Sequence, residues 1–255
     1  MRRILLGLLA GLGCFSLIAA DVSAADNNPL HIAVAANFLG TSKQLVKKFE
    51  QHSGHKVQLS FGSTGMLYAQ IKHGAPYDIF FAANTAHPQK LEQQQLIVPG
   101  SRQTYAMGKL VLWIPKSNDV NQQSLQHWQG KLSIANPDLA PYGQAAMQTL
   151  EKAGLLAALQ PHIVQGNNVA QAFQFVHSGN ATGGFVAASQ VLTVPRQQIW
   201  SVPASYYQPV EQQLVILKRS GHQALAQQFI DFIFSATGQE MILAAGYQAS
   251  ARKDG

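Results

Sequence analysis

Four stretches of this sequence put hydroxyl, amide or backbone donors where a strand-like run gives way to a helical one. They are Asn37, Gly62-Ser63-Thr64-Gly65, Pro137 to Tyr142, and Gly166-Asn167-Asn168-Val169. The first N–H groups of a helix have no partner inside the helix, and that end carries a partial positive charge, so each junction could hold an anion. Asn37 adds an amide, Ser63 and Thr64 add hydroxyls, Tyr142 a phenol and Val169 a backbone N–H. Singly, each reads equally well as a helix cap or a surface turn. Their conjunction says more. Residues 33–42, 60–66, 136–146 and 164–170 contain no Lys or Arg. A cleft built from them would hold an anion with neutral donors, while the net charge of +6 steers it in.

Other chemistry is thinly represented. His52 and His55 have metal-ligand spacing, but no third ligand follows, so no direct cation site is expected. Ser63 as a hydrolytic nucleophile would need a His base that no motif assigns. Neither a G-x-S-x-G elbow nor a P-loop is present. Asp78, in Pro76-Tyr77-Asp78-Ile79-Phe80, begins a buried strand and is expected to accept backbone hydrogen bonds there.

The elements that must position these groups alternate from the start. His31–Ala36 reads as a buried strand, with Asn37 as the cap of a helix carrying Phe38, Leu45, Val46 and Phe49 on one face. Strand 56–61 leads to a helix over 66–73, and strand 77–83 to a helix over 86–94. Such consecutive strand–helix units build a parallel sheet, whose ligands bind beyond the carboxyl ends of its strands. A second set follows: strands at 109–114 and 131–135, a helix over 144–153, a strand at 162–164, a helix after Asn168, and strands at 183–187 and 211–218. Helices over 222–234 and 237–245 close the chain and are expected to return to the first set. The fold class is therefore α/β with two lobes: residues 26–108 plus 214–255, and residues 109–213, joined by crossovers near 105–110 and 208–214.

Composition bounds the rest. The chain has 255 residues, 47% hydrophobic and 12% charged, which argues for folded structure. No basic run marks a nucleic-acid stripe. Met1-Arg2-Arg3, the apolar run Ile4–Ala20 and Ser23-Ala24-Ala25 form a secretory signal peptide over 1–25, with cleavage before Asp26. The only Cys, Cys14, leaves with it, and Gly11-Leu12-Gly13 ahead of it does not suit lipidation. A Cys-free product suits an oxidising compartment, so the chain is expected in the periplasm.

Ala35-Ala36-Asn37-Phe38, Ser60-Phe61-Gly62-Ser63-Thr64-Gly65, Gly74–Phe80, Ile134–Asp138, Pro141-Tyr142-Gly143, Asn168-Val169 and Gly246-Tyr247 occur in an order and spacing that resembles the periplasmic molybdate-binding proteins of ABC-type importers. The likeness runs from about Leu30 to Tyr247. It implies a type II solute-binding protein that closes over one tetrahedral dianion, is not an enzyme, uses no cofactor, works as a monomer and delivers its cargo to a membrane permease. It implies ligand contacts from Asn37, Ser63, Thr64, Tyr142 and Val169 to molybdate or tungstate. At Ala187 some members carry a ligand Tyr, and Tyr142 would take over that role here. Because molybdate is fully ionised at neutral pH it asks only for donors, as does the smaller sulfate, whereas phosphate retains a proton and rewards an acceptor. The alternatives are a carrier of sulfate, phosphate or another anion, and an exported hydrolase using Ser63.

Overall fold

The computed structural model describes residues 28–248; the signal segment, with Cys14 and the cleavage site, lies outside the described residues. The chain runs β1 (Leu30–Ala35), α1 (Leu39–Ser53), β2 (Val57–Gly62), α2 (Thr64–Lys72), β3 (Ile79–Ala82), α3 (Ala86–Gln93) and β4 (Gln103–Gly108). It continues with β5 (Leu110–Trp113), β6 (Leu132–Ala135), α4 (Pro141–Lys152), α5 (Leu156–Leu159), β7 (Ile163–Gly166), α6 (Val169–His177), β8 (Gly183–Ala187) and β9 (Ile199–Ser201). It ends in β10 (Val210–Ile216), α7 (Gln223–Phe234) and α8 (Ala236–Ala244).

Two five-stranded sheets result, ordered β2-β1-β3-β10-β4 and β7-β6-β8-β5-β9. In the first, β1 lies parallel between β2 and β3, and β10 runs antiparallel between β3 and β4. The second repeats this arrangement: β6 is parallel to β7 and β8, and β5 is antiparallel to β8 and β9. The chain passes from the first sheet to the second at Lys109 and returns between Ser201 and Val210. Since β10 pairs with β4 from Val210 onward, residues 210–213 run in the first sheet rather than with the second set, where the sequence reading placed them.

Each sheet is covered by helices that bury their apolar stripes. Leu45, Val46 and Phe49 of α1 meet Phe229, Ile230 and Ile233 of α7 over β1 and β3, with Phe38, Phe81 and Tyr105 forming an aromatic centre. Each such large apolar side chain contributes about 1.5–3 kcal/mol on burial. The closing helices thus pack on the first sheet, as their position after β10 suggests. On the second sheet α4 covers Leu112, Leu132, Ile134 and Phe185. Asp78 lies buried just ahead of β3. Its carboxylate accepts from the His31 N–H at 2.7 Å and the Ser220 hydroxyl at 2.6 Å, and meets His222 Nδ1 at 3.3 Å. Among the described residues no helix is long and apolar enough to cross a membrane.

Candidate functional site

The carboxyl ends of β1, β2, β3, β6 and β7 converge on one small, partly open cleft. It is lined by Ala35, Ala36, Asn37, Gly62, Ser63, Thr64 and Ala83 from the first sheet's side, and by Ala140, Pro141, Tyr142, Asn168 and Val169 from the second's. All five residues singled out from the sequence therefore meet here, and each is buried, from 1% exposed at Thr64 to 4% at Asn37. Ala187 is not among the lining residues. It ends β8, and its N–H donates to Gln190 Oε1 at 3.0 Å, while Gln190 Nε2 donates to the Val169 carbonyl at 3.2 Å.

The hydroxyls share a pattern. Ser63 caps α2, and its Oγ accepts from the Met66 N–H at 3.4 Å. Thr64 Oγ1 accepts from the Ala83 N–H at 3.0 Å. Tyr142 Oη accepts from Gln212 Nε2 at 3.5 Å. A hydroxyl that accepts from a protein donor keeps its own proton to give. All three are thus set as donors, and no Asp, Glu, Lys, Arg or His lines the space. Backbone donors complete the rim: α4 and α6 begin at Pro141 and Val169. Asn168 caps α6 by accepting from the Ala170 and Gln171 N–H groups at 3.0 and 3.1 Å.

Two expectations are corrected. Asn37 does not cap α1: residues Ala36–Phe38 form a short tight turn ahead of it, with no side-chain cap. Its Nδ2 donates instead to Gln212 Oε1 at 2.8 Å and to Tyr247 Oη at 3.2 Å, so both amide protons are committed within the protein. The helix after Asn136 begins at Pro141, not Gln144, because proline's fixed φ suits the first helical position. Tyr142 therefore sits in the first turn of α4 rather than in a preceding loop.

Residues the sequence reading assigned no role support the site from behind. Gln212, wholly buried on β10, also receives the Tyr105 hydroxyl at 2.9 Å. Tyr247 and Ser189 both donate to the Asn37 carbonyl, at 2.8 and 3.1 Å. Gly108 leaves room for this group: a Cβ there would collide with Tyr142 Oη and Gln212 Nε2. The two halves also touch directly, since the Gly65 N–H donates to the Leu139 carbonyl at 2.9 Å. The signal for Gln212 is faint, since it stands between two other polar residues, Glu211 and Gln213, at the start of β10.

Burial is the first cause that raises the phenols' pKa values: Tyr105 and Tyr142, with neighbouring phenols adding to it, lie well above the ordinary 10, and Tyr247, despite hydrogen bonds that lower it, is pushed up to about 12. Each thus remains a neutral donor. A raised folded-state value means the folded protein holds protons that the unfolded chain has lost, so stability falls with rising pH once the unfolded value is passed. The thermal midpoint is expected to show no phenol contribution below about pH 9 and to drop as pH climbs through 10 toward 12. A midpoint indifferent to pH across that window would remove the buried phenol cluster.

Residues 30–248 match the family of bacterial extracellular solute-binding proteins. The chain is 43% identical to the molybdate-binding protein ModA of Azotobacter vinelandii, over 97% of each chain. It is 37% identical to ModA of Rhodobacter capsulatus, over 94% of this chain and 96% of that one. The solved structure of the A. vinelandii periplasmic molybdate-binding protein superposes with a TM-score of 0.82 at 42% identity, covering 87% of this chain and 99% of that one. With this fold and identity over almost its whole length, the chain belongs to the bacterial extracellular solute-binding proteins, in the family of the ModA molybdate-binding proteins.

Proposed function

We propose that this chain captures molybdate, and tungstate with it, between two lobes and delivers it to the permease of an ABC transporter, as an exported periplasmic monomer without catalytic activity. Among the described residues the lobes are 28–108 together with 210–248, and 109–209; sheet membership supports the division. The observation that carries the ligand assignment is the polarity of the rim. Three hydroxyls have their acceptor role filled by protein N–H groups, and no carboxylate or imidazole faces the space. A fully ionised tetrahedral dianion needs only donors, and these hydroxyls, each already accepting one bond from the protein, are set to supply them. Thr64, Ser63 and Tyr142 supply hydroxyls, and Asn37 and Val169 supply backbone N–H groups. The hydrolase alternative has no base among the lining residues.

A thermal-unfolding series with molybdate, tungstate, sulfate and phosphate tests this. Ligand at about 100 times its dissociation constant adds about 2.7 kcal/mol, or roughly 5–10 °C for a chain of this size. Shifts with molybdate and tungstate alone are expected; a shift with phosphate would overturn the donor-only reading. Thr64→Ala is expected to cost about 1–3 kcal/mol of binding by calorimetric titration. Unchanged affinity would take Thr64 out of the site.

A further inference from the structure

Gln212 touches donors of both halves, and its two ends are chemically opposite. Its Oε1 receives Asn37 Nδ2 at 2.8 Å and the Tyr105 hydroxyl at 2.9 Å, from the first sheet's side. With the oxygen so occupied, flipping this amide by itself would set Nε2 against Asn37 Nδ2, donor against donor. Its Nε2 must then face Tyr142 Oη, from the second sheet's side, at 3.5 Å. Tyr142 accordingly accepts from Gln212 and has its proton free for the cavity. Were the group at 212 an acceptor at both ends, the phenol would turn its proton toward it and present only oxygen lone pairs to the ligand.

We propose that Gln212 is a positioning residue for oxyanion binding: its amide orientation fixes Tyr142 as a donor and so selects fully ionised anions over proton-bearing ones. The proposal rests on the oxyanion-binding reading given above and adds to it a residue that makes no ligand contact. Gly108 belongs to the same device, since the absence of a side chain there lets Tyr142 and Gln212 meet.

The test is Gln212→Glu, read by calorimetric titration of the full exported chain with sodium molybdate at about pH 8 and about pH 5. The titratable groups in this cluster are the phenols of Tyr105, Tyr142 and Tyr247, which stay neutral throughout that range. The introduced carboxyl is the only one of them to titrate. Ionised, it accepts at both oxygens and takes the Tyr142 proton; protonated, it can donate to Tyr142 Oη as Nε2 does. Q212E is expected to bind about tenfold to a hundredfold more weakly than the parent at pH 8 and to regain most of that at pH 5, while the parent changes little. Gln212→Met, which neither donates strongly nor titrates, is expected to bind weakly at both values. A Q212E deficit that is equal at both pH values and shared by Q212M would show a merely structural role and overturn the proposal. So would parental affinity in Q212E at pH 8. A parent that binds no oxyanion overturns the underlying reading instead, so the two failures are distinguishable.

Discussion

Tyr142→Phe is expected to bind molybdate about tenfold to a hundredfold more weakly than the parent, in a calorimetric titration at neutral pH. The substitution removes one hydroxyl from the first turn of α4 and leaves the ring, which is buried among Ala135, Leu112 and Val210 in the second sheet's core. A hydrogen bond from a neutral donor to a charged acceptor in a dry site is worth about 1.5–3 kcal/mol. The phenol is neutral at the pH of the titration, because burial holds its pKa well above 10. No ionisation therefore masks the loss. The ligand-free protein should also unfold at a somewhat lower temperature, since the wholly buried Gln212 Nε2 loses its acceptor, at a cost of about 1–3 kcal/mol. Parental affinity in this variant would exclude Tyr142 from the ligand's shell.

Asp78→Ala has the opposite profile. Its carboxylate gathers the His31 N–H, the Ser220 hydroxyl and His222 Nδ1 at the amino end of β3. Truncation leaves those groups without their acceptor inside the protein, at a cost of about 2–4 kcal/mol. For a chain of this length the midpoint should fall by roughly 5–15 °C. Molybdate affinity should stay within about twofold of the parent's, because Asp78 lies at the far end of β3 from Ala83 and the cavity. An unchanged midpoint would mean that the three donors find other partners. The pair of variants separates the groups that hold the ligand from those that hold the sheet.

Much of this architecture is legible in the residues. The apolar run of β1, the break at Gly62–Gly65 and the Asn168 cap each declare themselves, because strand burial, helix initiation and capping are local effects. The strands at Gln103–Gly108 and Ile199–Ser201 do not. The first mixes Gln, Thr, Tyr, Ala, Met and Gly with no alternation, and is held by its pairing with β10 rather than by its own pattern. The second is only three residues long. At the site, the residue types facing the cavity are readable, since each stands at a strand end. The partners behind them are not: Gln212 and Tyr247 meet Asn37 across 175 and 210 residues of chain, and no spacing rule reaches that far. That is also why Asn37 reads as a cap and a side-chain donor, when tertiary packing commits its amide elsewhere.

The hydrogen bond between Asn37 and Tyr247 also places the site in time. It joins the first strand's exit to the segment after α8, so its formation must wait on closure of a loop that holds nearly the entire described chain. Contacts of such long range are slow to form and arrive late in folding. The anion therefore does not act as a nucleus around which the chain assembles. It can only trap molecules that have already finished, drawing the population toward the folded state by mass action. A chain cut short ahead of Tyr247 contains every strand of both sheets, yet it lacks the phenol that ties down Asn37, so the power to retain the ion is the last property the polypeptide acquires.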